Sequence, residues 1–467
     1  MKQVEQLAAF VARASYEGLS AATRQDLKVR VLDSLGCAIG ALRGEPVKLL
    51  RTQLDEFGGA HICTLVGGGS TAPDRAACYN TALTRYLDFM DNYMAKDQTC
   101  HPCDNLGAVL AASEYAKQSG REFLTALAVA YQVQCRLTDE AQIMQRGFDH
   151  TTHLSFSIAA GVSRALGLDE EKVAHAIAIC GAEFSALAVT RASPTSQWKG
   201  LASSNTSFGA THCTFLAARG ITGPLGIFEG PKGFMEASGH KFEIDWSKES
   251  LERVTHTSVK RFNAEVHSQS ALEGVLELRD QHNFKTEEVE RIHIEIFHEA
   301  YNIIGGGEYG DRTHVETKEH ADHSLPYLTA VMILDGQVLP EQFLPERIRR
   351  ADVQSLLKRV TVSPHSLVPG VKAETLNTYS WRYPEEMPCS ITITLTNGQE
   401  LKIEKKDYEG FYRRPMLWEG VVEKFERLSA PFTDAPLRHD IIEAVANLES
   451  IQVVDLMRLL AKANGAS

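Results

Sequence analysis

The sequence predicts a mainly α fold with an inserted α+β module, and three observations carry that prediction. From the start to about residue 255, apolar residues recur at helical spacing in one segment after another. Near residue 257 the pattern changes. Glu290–Phe297 (ERIHIEIF) alternates strictly, as a half-buried strand does, and Ser390–Ile403 (SITITLTNGQELKI) sets two β-branched runs around Asn397-Gly398, a strong hairpin signal. Helical periodicity then returns at Met416–Leu428 and continues to the C-terminus. The expected division is a discontinuous helical domain, 1–257 and 406–467, around an α+β domain, 258–405. A chain of 467 residues is long for one core, in keeping with two domains.

The elements follow in order. MKQVEQLAAFVARASYEGL is an amphipathic helix that contains acids, and Ser20–Leu42 alternates faces at helical spacing. Cys63–Gly69 is a short apolar piece ending in glycines. Thr71, Pro73 and Asp74 read as N-cap, early-turn proline and first-turn acid of a helix that runs to Asp88. Phe123–Asp139 is helical, and Leu154–Leu166 is rich in the small residues that let helices pack closely. Asp169 caps Glu170–Cys180, and Ala202–Gly220 ends at a glycine. Ile221–Phe234 is a Gly/Pro-rich loop. In the module, helices are expected at Ser268–Arg279, Ser324–Leu334 and Asp352–Leu357, with a short strand at Val360–Val362.

Composition excludes several classes. The net charge of −12 argues against a nucleic-acid partner. A polyanionic substrate would need a pocket that gathers Lys, Arg and His against this overall field. No apolar run approaches the ~20 residues that span a bilayer, and the N-terminal helix lacks the basic start and apolar core of a signal peptide, so a cytoplasmic protein without membrane partner is expected. Of nine cysteines only Cys100 and Cys103 form a CxxC. Without a second pair or a βαβ context, zinc or redox chemistry is not expected there. No GxxxxGK[ST] phosphate loop occurs.

Candidate chemistry concentrates in Leu87–Glu114 (LDFMDNYMAKDQTCHPCDNLGAVLAASE). Asp88 and Asp91 close the apolar-periodic run, so they share a face if the helix holds. His101 lies in the following loop. Asp104 is the expected N-cap of a helix from Asn105 to about Ala116. Four further clusters stand out. Gly147–His153 (GFDHTTH) holds His150 and, three residues on, His153. A helical pair of that spacing suits a metal given a third ligand, or is simply a polar helix start. Lys199 follows a Pro/Ser-rich loop and precedes a helix; an anion would explain it there, and a solvated side chain is the ordinary alternative. Lys260–Ser270 (KRFNAEVHSQS) carries His267 at the expected domain junction, and Asp311–Tyr327 (DRTHVETKEHADHSLPY) is dense in histidines and acids. Histidines, a lysine and carboxylates, without a metal or nucleotide motif, suit proton transfer on an anionic small molecule.

These segments, in this order, resemble the 2-methylcitrate dehydratase (MmgE/PrpD) family. The matching stretches are Tyr86–Ala116, GFDH at Gly147–His150, Lys199 ahead of its helix, TGPLGIFEGPKGF at Thr222–Phe234, VHSQSALEG at Val266–Gly274 and ADHSLPYLTAVMILDG at Ala321–Gly336. The likeness covers nearly the whole chain. It implies an all-helical domain formed by both chain ends plus an α+β lid, a homodimer, no metal and no cofactor. The implied active site lies between the domains. Its expected catalytic residues are His101, Asp91, His150, Lys199 and His267, with Asp88, Asn92, Tyr327 and Lys260 binding substrate. Two positions depart from the family pattern: Asn92 replaces a hydroxyl residue and Cys103 replaces a serine, and either could retune substrate choice. The implied reaction is metal-independent dehydration of 2-methylcitrate, or a close tricarboxylate such as citrate. Decarboxylation of cis-aconitate and epimerisation of a small dicarboxylate are the alternatives within the family. An inactive helical scaffold is the alternative outside enzymes.

Overall fold

Side-chain caps set several helix boundaries. Ser20, Ser119 and Asp169 each accept a hydrogen bond from the backbone N–H three residues on, opening Ala21–Gly40, Gly120–Glu140 and Glu170–Glu183. The computed structural model describes residues 1–96, 98–192, 194–366 and 377–464. The chain divides into two units. One comprises Met1–Val189, Gly200–Val259 and Met416–Ser467; the other comprises Thr190–Lys199 and Lys260–Pro415. Thr190–Lys199, which a continuous reading of the sequence leaves with the helices, is part of the second unit. The fold is predominantly helical with a small mixed sheet. No described helix is long and apolar enough to cross a membrane.

The first unit is built around Leu106–Tyr115, which is mostly apolar and buried up to its last residue. Pro73–Tyr86, Gly120–Glu140 and Thr151–Ala165 pack against it. Glycines permit the approach. A Cβ at Gly107 would lie 2.5 Å from the Thr81 amide nitrogen, and one at Gly161 would lie 2.8 Å from the Ala130 Cβ. The helix Trp418–Ser429, from the C-terminal part of the chain, packs on Ala21–Gly40. Its buried Lys424 reaches Asp33 at 2.6 Å and donates to the Phe89 carbonyl at 2.7 Å. The far end of the chain thus holds the backbone two residues before Asp91.

Two boundaries differ from expectation at places that matter. Pro73–Tyr86 is capped by Ala72, because Thr71 is taken up pairing with Cys63 in a two-stranded ribbon. The helix ends at Tyr86, and Asp88 adopts a left-handed φ of 57°. Asp88 and Asp91 therefore do not share a helical face. Asp104 caps nothing. A 3-10 turn, Pro102–Asn105, precedes Leu106–Tyr115, and the Asp104 carboxylate accepts from the Ser203 hydroxyl at 2.6 Å.

The second unit has a four-stranded sheet in the order Val360–Pro364, Val289–Ile296, Cys389–Leu395, Glu400–Lys405. The first pair is parallel and the others antiparallel, with Ile292 opposite Val360 and Ile393. Gln269–His282 and Leu325–Asp335 pack on the sheet and on each other. The Asn397-Gly398 turn forms as expected but in a three-residue loop. Gly398 takes φ 84°, and the Leu395 N–H donates to the Gln399 carbonyl across it.

Replacing Gly107 with alanine is expected to destabilise the helical unit by about 1–3 kcal/mol, because the methyl meets backbone that cannot move aside. Urea unfolding of the variant against the parent checks this.

Candidate active site

Within the helical unit, most of the candidate residues lie between Tyr86 and Leu106. The left-handed turn at Asp88 folds its carboxylate back onto Arg85, 3.1 Å away and equally buried. Asp91 is fully buried. Its carboxylate accepts from the Tyr131 hydroxyl at 2.7 Å and from the Cys103 N–H at 3.1 Å, with the Arg30 guanidinium 3.9 Å away. Burial raises its pKa; Arg30 and side-chain hydrogen bonds with Cys103 and Tyr131 oppose the rise without cancelling it.

His101 lies at the start of the 3-10 turn. Its Nδ1 is 3.1 Å from the Asp91 backbone carbonyl. A carbonyl only accepts, so Nδ1 carries the proton and Nε2 is the basic nitrogen of the neutral ring. Asp91 thus orients His101 through its main chain and not through the carboxylate that the sequence suggests. The His150 ring packs against His101 at 5.1 Å between centroids and 68° between planes. His150 occupies the N-cap position of Thr151–Ala165, and the neighbouring Asp149 carboxylate accepts from the Thr151 N–H at 3.1 Å.

His153 has different company. It is buried against Phe234, and burial pushes its pKa down to about 3, so it stays neutral in the core. His150, and not His153, is the histidine beside His101. Asn92 pairs through its backbone with Ser258, while both polar atoms of its buried side chain lack a hydrogen-bond partner among the described residues. Cys100 clusters with Cys135, Tyr93 and Ala95, whereas Cys103 lies against the Asp91 carbonyl. Burial pushes the Cys103 thiol up. The CxxC is two separate core thiols.

The second unit holds two more clusters. Lys199 sits in the 3-10 turn Gln197–Gly200 and is buried rather than solvated. Its Nζ is 2.8 Å from Asp322 Oδ1 and 3.0 Å from His323 Nδ1. Lys318 meets the other Asp322 oxygen at 2.9 Å. Burial opposes ionisation of Asp322, but the two lysines hold its carboxyl well below the usual range. Two ammonium groups thus meet one carboxylate, with the His323 imidazole beside them.

His267 lies in the 3-10 turn Val266–Ser268 ahead of its helix. Glu265 receives the His267 backbone N–H at 2.8 Å and lies 2.7 Å from Nδ1; the Tyr383 hydroxyl lies 3.1 Å from Nε2. Burial opposes ionisation of Glu265, yet the facing His267, with His323 and Lys260 beyond it, brings its carboxyl down to about 2. Lys260 is itself 1% exposed, a buried cation near this cluster.

Tyr327, expected to bind substrate, is completely buried, packs on Phe343 and gives its hydroxyl to the Gln342 carbonyl, the surroundings of a core residue. Sequence reasoning missed Arg30, Arg85, Tyr131, Glu265, Asp322, His323 and Tyr383. Glu265, Asp322 and His323 stand in stretches noted for their histidines and acids, whereas nothing local marks the others.

The geometry makes two expectations measurable. Tyr327→Phe is expected to cost about 1 kcal/mol of stability, the net worth of one hydrogen bond, and to leave any catalytic rate unchanged. The folded state favours ionised Glu265, so its contribution is fully present above the ordinary pKa of 4.5 and is lost as pH falls through about 2. Glu265→Gln should flatten the acid dependence of stability in that window, read from thermal unfolding between pH 6 and the acid limit.

Two family models match this chain. The family model MmgE/PrpD N-terminal domain matches residues 5–247, and MmgE/PrpD C-terminal domain matches residues 262–450. Human cis-aconitate decarboxylase is 25% identical over 464 residues, covering 94% of this chain and 90% of the relative. The 2-methylcitrate dehydratase of Escherichia coli K12 is 26% identical over 335 residues, 66% of each chain. A probable 2-methylcitrate dehydratase of Saccharomyces cerevisiae is 23% identical over 478 residues, 92% of this chain and 87% of the relative. Relatives named as dehydratases and decarboxylases support an enzyme. With both family models matched in order along nearly all of its length, the chain belongs to the MmgE/PrpD family.

Proposed function

We propose that the protein is a hydro-lyase that dehydrates 2-methylcitrate, or a close tricarboxylate such as citrate, to the corresponding cis-aconitate. The observation that carries this reading is the His101–His150 pair, with His101 fixed by the Asp91 carbonyl so that Nε2 is its basic nitrogen. Elimination needs a base on the C–H beside a carboxylate and an acid on the departing hydroxyl. The C–H electron pair becomes the double bond, the C–O pair leaves with oxygen, and the acid's proton turns it into water. The two adjacent imidazoles supply one nitrogen that can accept a proton and a neighbour that can carry one. Lys199 and Lys318, sharing Asp322, hold substrate carboxylate.

Decarboxylation of cis-aconitate is the second reading. The human decarboxylase aligns with 94% of this chain, whereas the Escherichia coli dehydratase aligns with 66%. Both reactions pass through charge on a carbon next to a carboxylate, and both need a proton carrier and cationic anchors.

Purified protein incubated with 2-methylcitrate is expected to show rising ultraviolet absorbance from a new conjugated alkene. Release of carbon dioxide from cis-aconitate would select the second reading instead, and turnover of neither would reject both. His101→Ala is expected to lower kcat about 10²–10⁴-fold, the usual worth of a general acid or base. Lys199→Met should act chiefly on KM.

A further inference from the structure

We propose that Cys213 and Cys180 form a peroxide-sensitive dithiol, in which the surface thiol is oxidised and the buried one closes a reversible disulfide with it. Of the nine cysteines, Cys213 is the one that reaches the surface; the other eight are buried. Cys213 lies on the helix Ala202–Ala218 and Cys180 on Glu170–Glu183, both in the first unit, and the two helices pack against each other. A glycine brings them close: the Phe184 ring, four residues after Cys180, fills the space that a side chain at Gly209 would need. The Cys180 sulfur meets the next turn of the facing helix, 3.5 Å from the Ala210 carbonyl and 4.0 Å from the Thr214 hydroxyl. Positions three and four apart share a helix face, so Ala210, Cys213 and Thr214 stand together on that turn. The Cys180 and Cys213 thiols are hydrogen-bonded to each other across the helix pair.

The two thiols differ as an attacking and a resolving sulfur must. The hydrogen bond from Cys180 brings the Cys213 thiol down to about 7; partial burial opposes this, His212 adds to it and Glu183 opposes it. His212 itself lies 3.3 Å from the Asp74 carboxylate. Burial pushes the Cys180 thiol up, so it keeps its proton and remains the donor. An accessible thiolate is the nucleophile toward peroxide. The Cys213 sulfur attacks one oxygen of hydrogen peroxide, the O–O bond breaks, and the leaving hydroxide takes up a proton to become water. Cys213 is then a sulfenic acid. The Cys180 sulfur attacks it; the S–S bond forms, the S–O bond breaks, and the departing hydroxide takes the Cys180 proton. Two thiols have lost two electrons, and one peroxide has become two waters. A small thiol reductant reverses the change by exchange. Cys100 and Cys135 are also paired thiols, but both are buried, which keeps an oxidant from either. The cross-link would join two helices that support candidate site residues: Ala186, just past Glu170–Glu183, accepts the Asp149 N–H at 2.8 Å, and Ser203 on Ala202–Ala218 donates to Asp104 at 2.6 Å. None of this depends on the lyase reading.

The test exposes the full chain, reduced and freed of reductant, to hydrogen peroxide. Remaining thiols are then blocked with iodoacetamide, and the protein is mapped by mass spectrometry after trypsin. The two cysteines fall in separate tryptic peptides, 173–191 and 200–219. These peptides are expected to be recovered joined, two hydrogens lighter than their sum, and to separate again with dithiothreitol. Cys213→Ser should abolish the link and leave Cys180 reduced at the same exposure. In Cys180→Ala, Cys213 should instead be trapped by dimedone as the sulfenic acid. The proposal is overturned if Cys213 stays alkylatable after peroxide. It is equally overturned if Cys213 passes on to sulfinic acid while Cys180 remains a thiol, or links to a second copy of the chain. A further measurement needs neither peroxide nor a change in the core. Brief iodoacetamide treatment of the parent at pH 7 should modify Cys213 ahead of the other eight cysteines, and Cys213→Ser should remove that first modification. Any other cysteine reacting first would overturn the assignment of Cys213 as the attacking thiol.

Discussion

Asp91 performs two tasks with two parts of one residue. Its buried carboxylate is met by the Tyr131 hydroxyl, the Cys103 N–H and the Arg30 guanidinium, while its carbonyl receives the His101 ring. A carboxylate buried without partners would cost several kcal/mol, so the side chain can stay inside only where those donors converge. That requirement fixes the backbone of Asp91, and the fixed backbone fixes the tautomer of His101. Lys424, arriving from the last part of the chain, secures the same segment at the Phe89 carbonyl. The arrangement needs both ends of the sequence, which gives a physical reason for a helical unit formed by the N- and C-terminal parts together.

The second unit repeats this logic with different groups. Asp322 is a buried carboxylate kept ionised by two lysines, and Glu265 is one kept ionised by a histidine. Each carboxylate meets a basic side chain: Lys199 in one case, His267 in the other. In neither is the ion pair simply a source of stability. Its desolvation cost roughly offsets the attraction, and what remains is a defined geometry for a group that can bind or move charge. The left-handed turn at Asp88 is the counterpart in the helical unit, where a residue in an uncommon backbone conformation brings a carboxylate onto Arg85.

Much of the fold was legible in the chain. Helical spacing located Ala21–Gly40, Gly120–Glu140 and Ala202–Ala218 to within a few residues. Strict alternation located Val289–Ile296, and Asn397-Gly398 located the hairpin. Errors fell where a local preference met a tertiary demand. Thr71 would make a good cap but is used in a strand pair, and Asp104 would make another but receives a serine hydroxyl from a helix about a hundred residues on. The end of Pro73–Tyr86 was misjudged because apolar spacing persists through Leu87 while the backbone has already turned.

The sequence alone determined the element types, the order of helical and α+β parts, and the chemical kinds of group gathered in each motif. All of these follow from short-range rules, namely residue spacing against a period of 3.6 or 2 and the φ/ψ preferences of Gly, Pro and Asn. Only the tertiary structure decided which atoms work together. Tyr131 reaches Asp91 across 40 residues, Lys199 reaches Asp322 across 123, and Tyr383 reaches His267 across 116. No local spacing constrains partners at such separations. They are selected by the need of each buried charge for a hydrogen-bond partner, and that need exists only once packing has removed the water.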